Sequence, residues 1–398
     1  MTLAKNQPFS STELEKDERK LRMGLRADLK RFITLLRRLL LSEYFILYLL
    51  IAYFIVLAWQ LPTIAKPANL VNVLANTWPL LAVAVGQTVV LIVKGIDLSQ
   101  GSNIAFTSVV GAVLMATAAS ESVLSNSPLW GNLLDEHGGI LANQPNAVLI
   151  GCLVMIAVGA LIGLINGFAI ARFNMPAFMV TLVALMFFSA FAIYLTQSEN
   201  VRNLPDGYVE LGKGEVISFY FGEKAEPQIP RKQIYSFVTY AMFISLALTA
   251  VVHIILSRTV LGKHIYALGT NRRAAQVSGV PVARTIIAAY MISGVCAAIG
   301  AILYSARLEA GRPTLGAGTF LLDVIGATVI GGTSLNGGKG KVTWTIMGVL
   351  FFVLLSNSLN LLHLSAFYID MVKGSVILAA AVVDVIRTRL AASEAVAV

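Results

Sequence analysis

Residues 147–171 form one uninterrupted apolar run, AVLIGCLVMIAVGALIGLINGFAIA, in which no side chain is charged. A helix needs roughly 20 mostly apolar residues to cross about 30 Å of membrane hydrocarbon. The run meets that length and lacks the alternation of a half-buried strand. It therefore predicts a transmembrane helix.

Nine further runs meet or nearly meet the same length, so we predict an all-α, polytopic membrane protein with about ten transmembrane helices. The runs in chain order are 44–59, 78–93, 103–119, 147–171, 177–196, 236–256, 285–304, 320–330, 342–361 and 371–386. The eighth is too short to cross as a regular helix, which predicts a broken or re-entrant segment there.

Composition points to the same class. Of the 398 residues, 57% are apolar and 13% are charged, against roughly 45–50% and 25% in soluble domains. We expect one membrane domain over residues 44–390, with an arm before it (1–43) and a short tail after it (391–398). Cys152 and Cys296 lie within apolar runs, without metal-site or disulfide spacing.

The basic residues predict the orientation. Ten of the 30 Lys and Arg residues precede residue 44, and we expect that arm to lie on membrane lipid as an amphipathic helix rather than to bind nucleic acid. Its apolar residues at helical spacing are Leu21, Leu25, Leu29, Ile33 and Leu36. Cytoplasmic termini place most basic residues inside, as the positive-inside rule requires. We therefore expect a bacterial inner-membrane protein whose loops 120–146 and 197–235 face the periplasm, either as solvated loops or as contacts for a soluble partner.

No enzyme site is predicted. The four histidines are scattered, with no carboxylate or cysteine at metal-ligand spacing beside them. The glycine-rich stretch 331–341 lacks the Ser or Thr that follows the lysine of a phosphate-binding loop. We therefore expect no catalytic residue, cofactor or metal ion, and no ATPase within this chain.

The segment 95–103, GIDLSQGSN, is polar and helix-breaking at membrane depth. Irregular backbone is tolerated there only when it is buried in protein or lines a cavity. Asp97 and Ser99 each have a side chain that can cap the next helix, which would explain the segment without a ligand. In the alternative hypothesis, a substrate path is lined by Asp97, Ser99, Gln100, Ser102 and Asn103.

Four more polar side chains lie in or beside apolar runs: Asn166, Asp323, Asn357 and Asn360. The spacing of the last two places them on one helix face. Such amides commonly bond between helices, but they would also suit a neutral polyhydroxylated ligand along the path. Asp323 precedes a second break over residues 333–341, which has the same Gly, Ser and Asn character as the first.

The loop over residues 257–284 contains a short helix signal. Asn271 suits a helix N-cap, and Gly279 followed by Pro281 would end the helix. Its small residues, Ala274 and Ala275 among them, would fit a groove on a cytoplasmic partner, although the five basic residues of the loop are also typical of an ordinary cytoplasmic loop. The element comprises Asn271, Arg272, Arg273, Ala274, Ala275, Ser278 and Gly279.

Three stretches resemble the permease subunits of bacterial sugar ABC transporters, in the branch that carries ribose, xylose and galactosides. They are 95–102 (GIDLSQGS), 269–280 (GTN, then Ala274-Ala275 and SGV) and 331–340 (GGTSLNGGKG). Asn166-Gly167 and residues 176–182 (PAFMVTL) are also similar to the family. The resemblance covers roughly residues 70–387. A related branch carries branched-chain amino acids, but Ile96-Asp97-Leu98-Ser99 resembles the sugar branch.

This resemblance implies a permease that pairs with a second permease subunit, identical or different. The pair would work with two cytoplasmic ATP-binding subunits and a periplasmic sugar-binding protein. ATP hydrolysis in those partners would drive alternating access, and the helix near residues 271–279 would be the coupling helix that docks into the ATPase. The cargo would be a sugar or a sugar-like polyol.

The chain departs from the family pattern at four positions. Lys94 stands where a small residue is usual, and glycine is usual at Trp344, Ser358 and His363. By this comparison we expect altered helix packing around Trp344 and Ser358.

An alternative from another class is an ion-coupled secondary transporter of a small polar solute. Asp97 and Asp323 would then respond to protons or sodium. Such a transporter needs no ATPase and would accumulate its solute on an ion gradient.

Overall fold

The computed structural model describes residue 42, residues 44–220 and residues 234–396. The predicted amphipathic arm lies outside the described residues, apart from Ser42. The helices of the described part are α1 (Phe45–Gln60), α2 (Pro67–Ile92), α3 (Gln100–Met115), α4 (Glu121–Leu124), α5 (Ala147–Phe173), α6 (Ala177–Thr196), α7 (Asp206–Lys213), α8 (Tyr240–Arg258), α9 (Val260–Thr270), α10 (Arg272–Val277), α11 (Val282–Leu308), α12 (Phe320–Ile330), α13 (Val342–Leu361) and α14 (Ala366–Val396). A 3₁₀ turn, Pro62–Ala65, joins α1 to α2.

Each predicted apolar run overlaps one of the described helices. In the described part, six helices are long and apolar enough to cross a membrane, namely α2, α5, α6, α8, α11 and α13, while α1 and α12 are apolar but shorter. The all-α polytopic class is therefore confirmed. The number of ten crossings stays a prediction.

Two small antiparallel hairpins lie between the helices. β1 (Leu134–Asp135) pairs with β2 (Gly138–Gly139), and β3 (Glu215–Tyr220) pairs with β4 (Ile234–Thr239). The sixth run was therefore predicted to begin too early, because Ser236 lies in β4. The helix α8 begins at Tyr240 instead, where the Thr239 hydroxyl accepts from the N–H of Met242 at 3.3 Å.

The helices α2 and α11 form the centre of the protein. In its most apolar window, α2 is 89% buried and α11 is 67% buried, whereas α5, α6 and α8 are buried over only 22–28% of theirs. The outer helices therefore present apolar side chains outward. This is the arrangement expected of helices whose surroundings are hydrocarbon rather than water.

The most extensive contact between two of the described helices joins α5 to α11 through small residues. Gly159, Gly163 and Gly167 recur at a spacing of four along one face of α5, a pattern that lets membrane helices approach closely. A Cβ at Gly163 would lie 2.2 Å from the carbonyl oxygen of Tyr290, and one at Gly294 would lie 2.1 Å from that of Gly159. Only glycine permits this backbone contact.

Candidate functional site

The first break joins α2 to α3 at the centre of the fold. The N–H of Gly95 donates to the carbonyl of Val90 at 2.9 Å, and a Cβ at Gly95 would lie 2.5 Å from the Tyr290 hydroxyl oxygen. Lys94 has a φ of 66°, a left-handed conformation that a branched or bulky residue adopts at a cost. Both positions therefore favour small or flexible residues.

Asp97 fixes the turn of this break. Its Oδ1 accepts from the N–H of Ser99 at 3.0 Å and from the Ser99 hydroxyl at 2.6 Å, while its Oδ2 accepts from the Ser293 hydroxyl at 2.7 Å. The Ser99 side chain makes no capping bond to α3, which begins at Gln100. Of the two residues expected to cap the helix, Ser99 therefore does not, whereas Asp97 accepts from the N–H of Ser99, immediately before the first residue of α3.

The network continues into two more helices. The amide of Asn166, on α5, donates to the Ser99 hydroxyl at 2.8 Å. The amide of Gln100 donates to the Ser293 hydroxyl at 2.9 Å and to the carbonyl of Val83 at 3.3 Å. One buried set of polar groups thus ties together α2, α3, α5 and α11.

Ser102 and Asn103 extend the network along α3. The Ser102 hydroxyl donates to the carbonyl of Ser99 at 2.9 Å. The Asn103 amide lies at the close contact of α5 and α11, 3.3 Å from the carbonyl oxygen of Gly159 and 3.4 Å from that of Gly294. All five residues predicted along the first break are at most 1% exposed, so they are brought together but closed off from solvent.

Several buried amide atoms at this depth have no partner within the described residues. They are both amide atoms of Gln87, Oε1 of Gln100 and Oδ1 of Asn103. Buried polar atoms are nearly always paired, so each exception calls for a reason. Gln87 was missed from the sequence, although it lies inside an apolar run and carries the same signal as Asn166.

Ser293 is the other residue that sequence reasoning missed. It lies on α11 and is fully buried. Its hydroxyl accepts a hydrogen bond from the Gln100 amide and donates one to the Asp97 carboxylate. Serine is common in the small-residue faces of membrane helices. The sequence position of Ser293 therefore does not mark it as a member of the polar network any more than that of Ser305 or Ser245. Its role depends on a partner almost 200 residues away in the chain, Asp97.

Asp323 lies apart from this network, on α12. Its Oδ2 accepts from the Lys373 ammonium on α14 at 2.8 Å, with the side chains 19% and 12% exposed. Asn357 forms a reciprocal pair with Asn69, with both N–O distances at 2.9 Å. Asn360 is exposed and donates to the carbonyl of Ser356 on its own helix. None of the hydrogen bonds of these three residues within the described chain connects them to Asp97.

The second break packs against the end of α2. The N–H of Gly338 donates to the carbonyl of Ile92 at 2.9 Å. A Cβ at Gly269 would lie 1.7 Å from the same carbonyl oxygen and 2.6 Å from the nitrogen of Gly338. We name the contact of Ile92, Gly269 and Gly338 the glycine junction. The stretches 269–280 and 331–340 meet there, at the end of α2 just before the first break, and Lys94 also lies beside Gly337.

The short helix α10 follows the junction. The Asn271 side chain accepts from the N–H of Ala274 at 3.0 Å, which confirms the predicted N-cap, and Gly279 has a φ of 82° just past its end. Ala275 is only 5% exposed, whereas Val277 is 85% exposed. The expectation that Ala275 faces a partner is therefore corrected, since it packs into its own chain and the free face presents Val277.

Two of the residues that depart from the family pattern contact α1 or the residue just before it. The Ser358 hydroxyl lies 2.8 Å from that of Tyr53, and the Trp344 ring makes an edge contact with Tyr44 at 5.5 Å between centroids. His363 has a φ of 54°, the left-handed conformation in which glycine is the usual residue.

The family described as branched-chain amino acid transport system / permease component matches residues 69–381. The ribose import permease protein RbsC of Escherichia coli (strain K12) is 34% identical over 316 residues, which cover 79% of this chain and 85% of that protein.

Two further relatives are also named as sugar import permeases. The galactose/methyl galactoside import permease protein MglC of Haemophilus influenzae is 30% identical over 355 residues, covering 86% of this chain and 93% of that protein. The ribose import permease protein RbsC of Bacillus subtilis (strain 168) is 30% identical over 325 residues, covering 81% and 86%. No solved structure matches the chain. The similarity thus spans nearly all of the membrane helices and includes the first break, the glycine junction and α10.

Proposed function

This chain belongs to the family of the branched-chain amino acid transport system permease component, and from that premise we propose that it is the permease subunit of an ATP-driven sugar importer. Permeases of this kind carry out transport and not chemistry. ATP hydrolysis takes place in separate cytoplasmic subunits, and a periplasmic binding protein delivers the sugar.

The observation that carries this proposal is the glycine junction. It joins the end of the central helix α2 directly to Gly269, three residues before α10 begins. A protein that pushes on the exposed face of α10 would therefore move the first break without a flexible connection between them. An external ATPase needs such a contact, whereas an ion-coupled transporter does not.

The substrate class is supported by the chemistry of the first break. Its side chains are amides and hydroxyls, and the single carboxylate, Asp97, already accepts three hydrogen bonds. The unpartnered amide atoms of Gln87, Gln100 and Asn103 would bind the hydroxyl groups of a neutral sugar when the surrounding helices separate. The relatives named for ribose and for galactose and methyl galactoside import agree with a sugar rather than an amino acid.

The partners follow from the same function. Two permease subunits form the membrane part, with both termini and α10 in the cytoplasm. On the opposite side, a polar cavity of about 530 Å³ is lined by Arg202, Asp206, Glu309 and Arg312. In this orientation the cavity faces the periplasm, where its charged rim would meet the binding protein.

The test is uptake into proteoliposomes that contain the permease with the ATPase and binding protein encoded beside it. We expect labelled ribose or galactose to accumulate only when ATP is enclosed with the ATPase and the binding protein is outside. Uptake by the permease alone on a proton or sodium gradient would instead establish a secondary transporter.

A further inference from the structure

Between α11 and α12 the chain passes through residues 312–319, RPTLGAGT, which we name the connecting segment. These residues form turns and irregular backbone rather than a helix or a strand. At the start of the segment, the Ser108 hydroxyl on α3 donates to the carbonyl of Arg312 at 3.2 Å. Further along, a Cβ at Gly316 would lie 2.6 Å from the carbonyl oxygen of Gly101. The segment therefore runs along α3 from its centre to its first turn.

Gly101 lies well inside the membrane domain. The amide of the preceding residue, Gln100, donates to the Ser293 hydroxyl and to the carbonyl of Val83. These two partners belong to the central parts of α11 and α2, and both helices are long and apolar enough to cross a membrane. The contact between Gly101 and Gly316 thus places the connecting segment at membrane depth.

The described part of the chain leaves the connecting segment uncovered at this depth. Thr314, Ala317 and Gly318 are exposed. Three backbone N–H groups of the segment have no acceptor within the described residues, namely those of Thr314, Gly316 and Gly318. The Thr314 hydroxyl likewise has no hydrogen-bond partner there. The segment therefore presents unpaired polar groups at membrane depth.

Irregular backbone occurs at membrane depth only where protein buries it or where it lines a water-filled cavity. We propose that the connecting segment lines the water-filled, periplasmic half of the sugar path. This role rests on the sugar import and the orientation proposed above. The free N–H groups and the Thr314 hydroxyl would donate to the hydroxyl oxygens of a neutral sugar. The close contact of Gly316 with Gly101 closes the path in this structure, since the buried network of Asp97 lies beyond it.

Two observations favour a solvated path over burial of the segment against a second copy of the chain. The outer helices present large apolar side chains, such as the exposed Val183 and Phe187 on α6, which could not accept from the free N–H groups. The Asp370 side chain on α14 is exposed beside the segment and accepts from the Thr319 hydroxyl at 3.3 Å. An exposed carboxylate is costly against hydrocarbon but not in water.

The connecting segment also begins at the periplasmic cavity described above. Arg312, its first residue, lines that cavity of about 530 Å³ together with Arg202 and Asp206. The cavity at which the binding protein would deliver the sugar therefore leads directly to the connecting segment.

The test measures how fast single cysteines react with a membrane-impermeant, sulfonate-bearing methanethiosulfonate. It uses proteoliposomes that contain the complete transporter, after replacement of Cys152 and Cys296. Thr314→Cys and Ala317→Cys should react at least about tenfold faster than Leu161→Cys, because the thiolate is the reactive form and apolar surroundings disfavour it. Leu161 is the matched control, since it is 53% exposed near the middle of the apolar helix α5.

Uptake of labelled ribose or galactose gives the second readout. Modification of Thr314→Cys should abolish uptake relative to the same variant before modification, whereas modification of Val216→Cys in the exposed strand β3 should not. The proposal is overturned if the two segment cysteines react no faster than Leu161→Cys, or if modified Thr314→Cys still imports sugar. A disulfide between two copies of unreactive Thr314→Cys would show that a second copy covers the segment instead. The reaction rates require no transport, so their failure is distinct from a failure of the parental protein to import sugar.

Discussion

The carbonyl oxygen of Ile92 occupies the place that a side chain at Gly269 would need, since a Cβ there would lie only 1.7 Å away. Gly269→Ala should therefore force the glycine junction apart, at a cost of about 1–3 kcal/mol typical of overpacking. This happens although alanine is the better helix former by about 1 kcal/mol. The thermal unfolding temperature of the purified permease should fall, and sugar uptake should fall with it.

Gly374→Ala is the matched control, because a Cβ at Gly374 on α14 would meet nothing within 4 Å. This variant should be as stable as the parent or slightly more stable. Equal behaviour of the two alanine variants would show that the backbone contact at Gly269 does not exist.

Asp97 should tolerate loss of its charge but not loss of its acceptors. In Asp97→Asn one oxygen can still accept from Ser99, and the Ser293 hydroxyl can turn to accept from the new amide. Asp97→Leu removes the acceptor for the N–H and hydroxyl of Ser99 and for the hydroxyl of Ser293, at about 1–3 kcal/mol for each buried donor left unpaired. Membrane expression and uptake should therefore survive in the first variant and be lost in the second. Wild-type uptake by Asp97→Leu would contradict the role of the network.

The pair of Asp323 and Lys373 should behave as a structural ion pair. Removing one partner leaves the other charge largely buried and uncompensated. Replacing both residues leaves no buried charge without a partner. Asp323→Asn should thus lower the unfolding temperature, and the double variant Asp323→Asn with Lys373→Met should recover most of it together with uptake. If the double variant folds but transports nothing, Asp323 has a direct part in transport and the ion-coupled alternative gains.

The orientation can be tested by cysteine labelling in a chain whose native Cys152 and Cys296 are replaced. Ser125 and Ser278 are both exposed, and our topology places the first in the periplasm and the second in the cytoplasm. A membrane-impermeant maleimide should label Ser125→Cys in intact cells, and Ser278→Cys only after the cells are opened. Labelling of Ser278→Cys but not of Ser125→Cys in intact cells would show that the protein has the opposite orientation in the membrane.

The bounds of a helix were predictable from the sequence where an apolar run ends at a helix-breaking or charged residue. The bounds of α6, α12 and α13 agree with the prediction because a proline, a glycine pair or a lysine stands at an end. The helix α2 begins at Pro67 rather than near Trp78 because its first turns contain polar residues, Asn69 and Asn72 among them, which hydropathy does not recognise as membrane helix.

The sequence predicted where the candidate site lies along the chain, but not which distant residues its side chains contact. The polar segment around Asp97 identified the first break, since charged and glycine-rich sequence is rare at membrane depth. Its partner Ser293 and the contact of Gly269 with Ile92 depend on how distant segments fold together. The burial of Ala275 was equally hidden, because two adjacent alanines of a short helix differ only in which side faces the protein.

We propose that the separate ATPase docks on the exposed face of α10. Val277 is the apolar side chain of that face, and it is 85% exposed. A charge at this position should change the folding stability of the isolated permease little, because the position is exposed to solvent. At a desolvated interface the same charge should weaken binding by more than about tenfold, the equivalent of 1.4 kcal/mol.

The most direct measurement is co-purification of the ATP-binding subunit with permease that carries Val277→Glu, beside Val216→Glu in the exposed strand β3 as the matched control. We predict that both variants reach the membrane at the parental level, and that only Val277→Glu loses the ATPase together with sugar-stimulated ATP hydrolysis. Normal recovery of the ATPase and normal sugar uptake with Val277→Glu would contradict the claim.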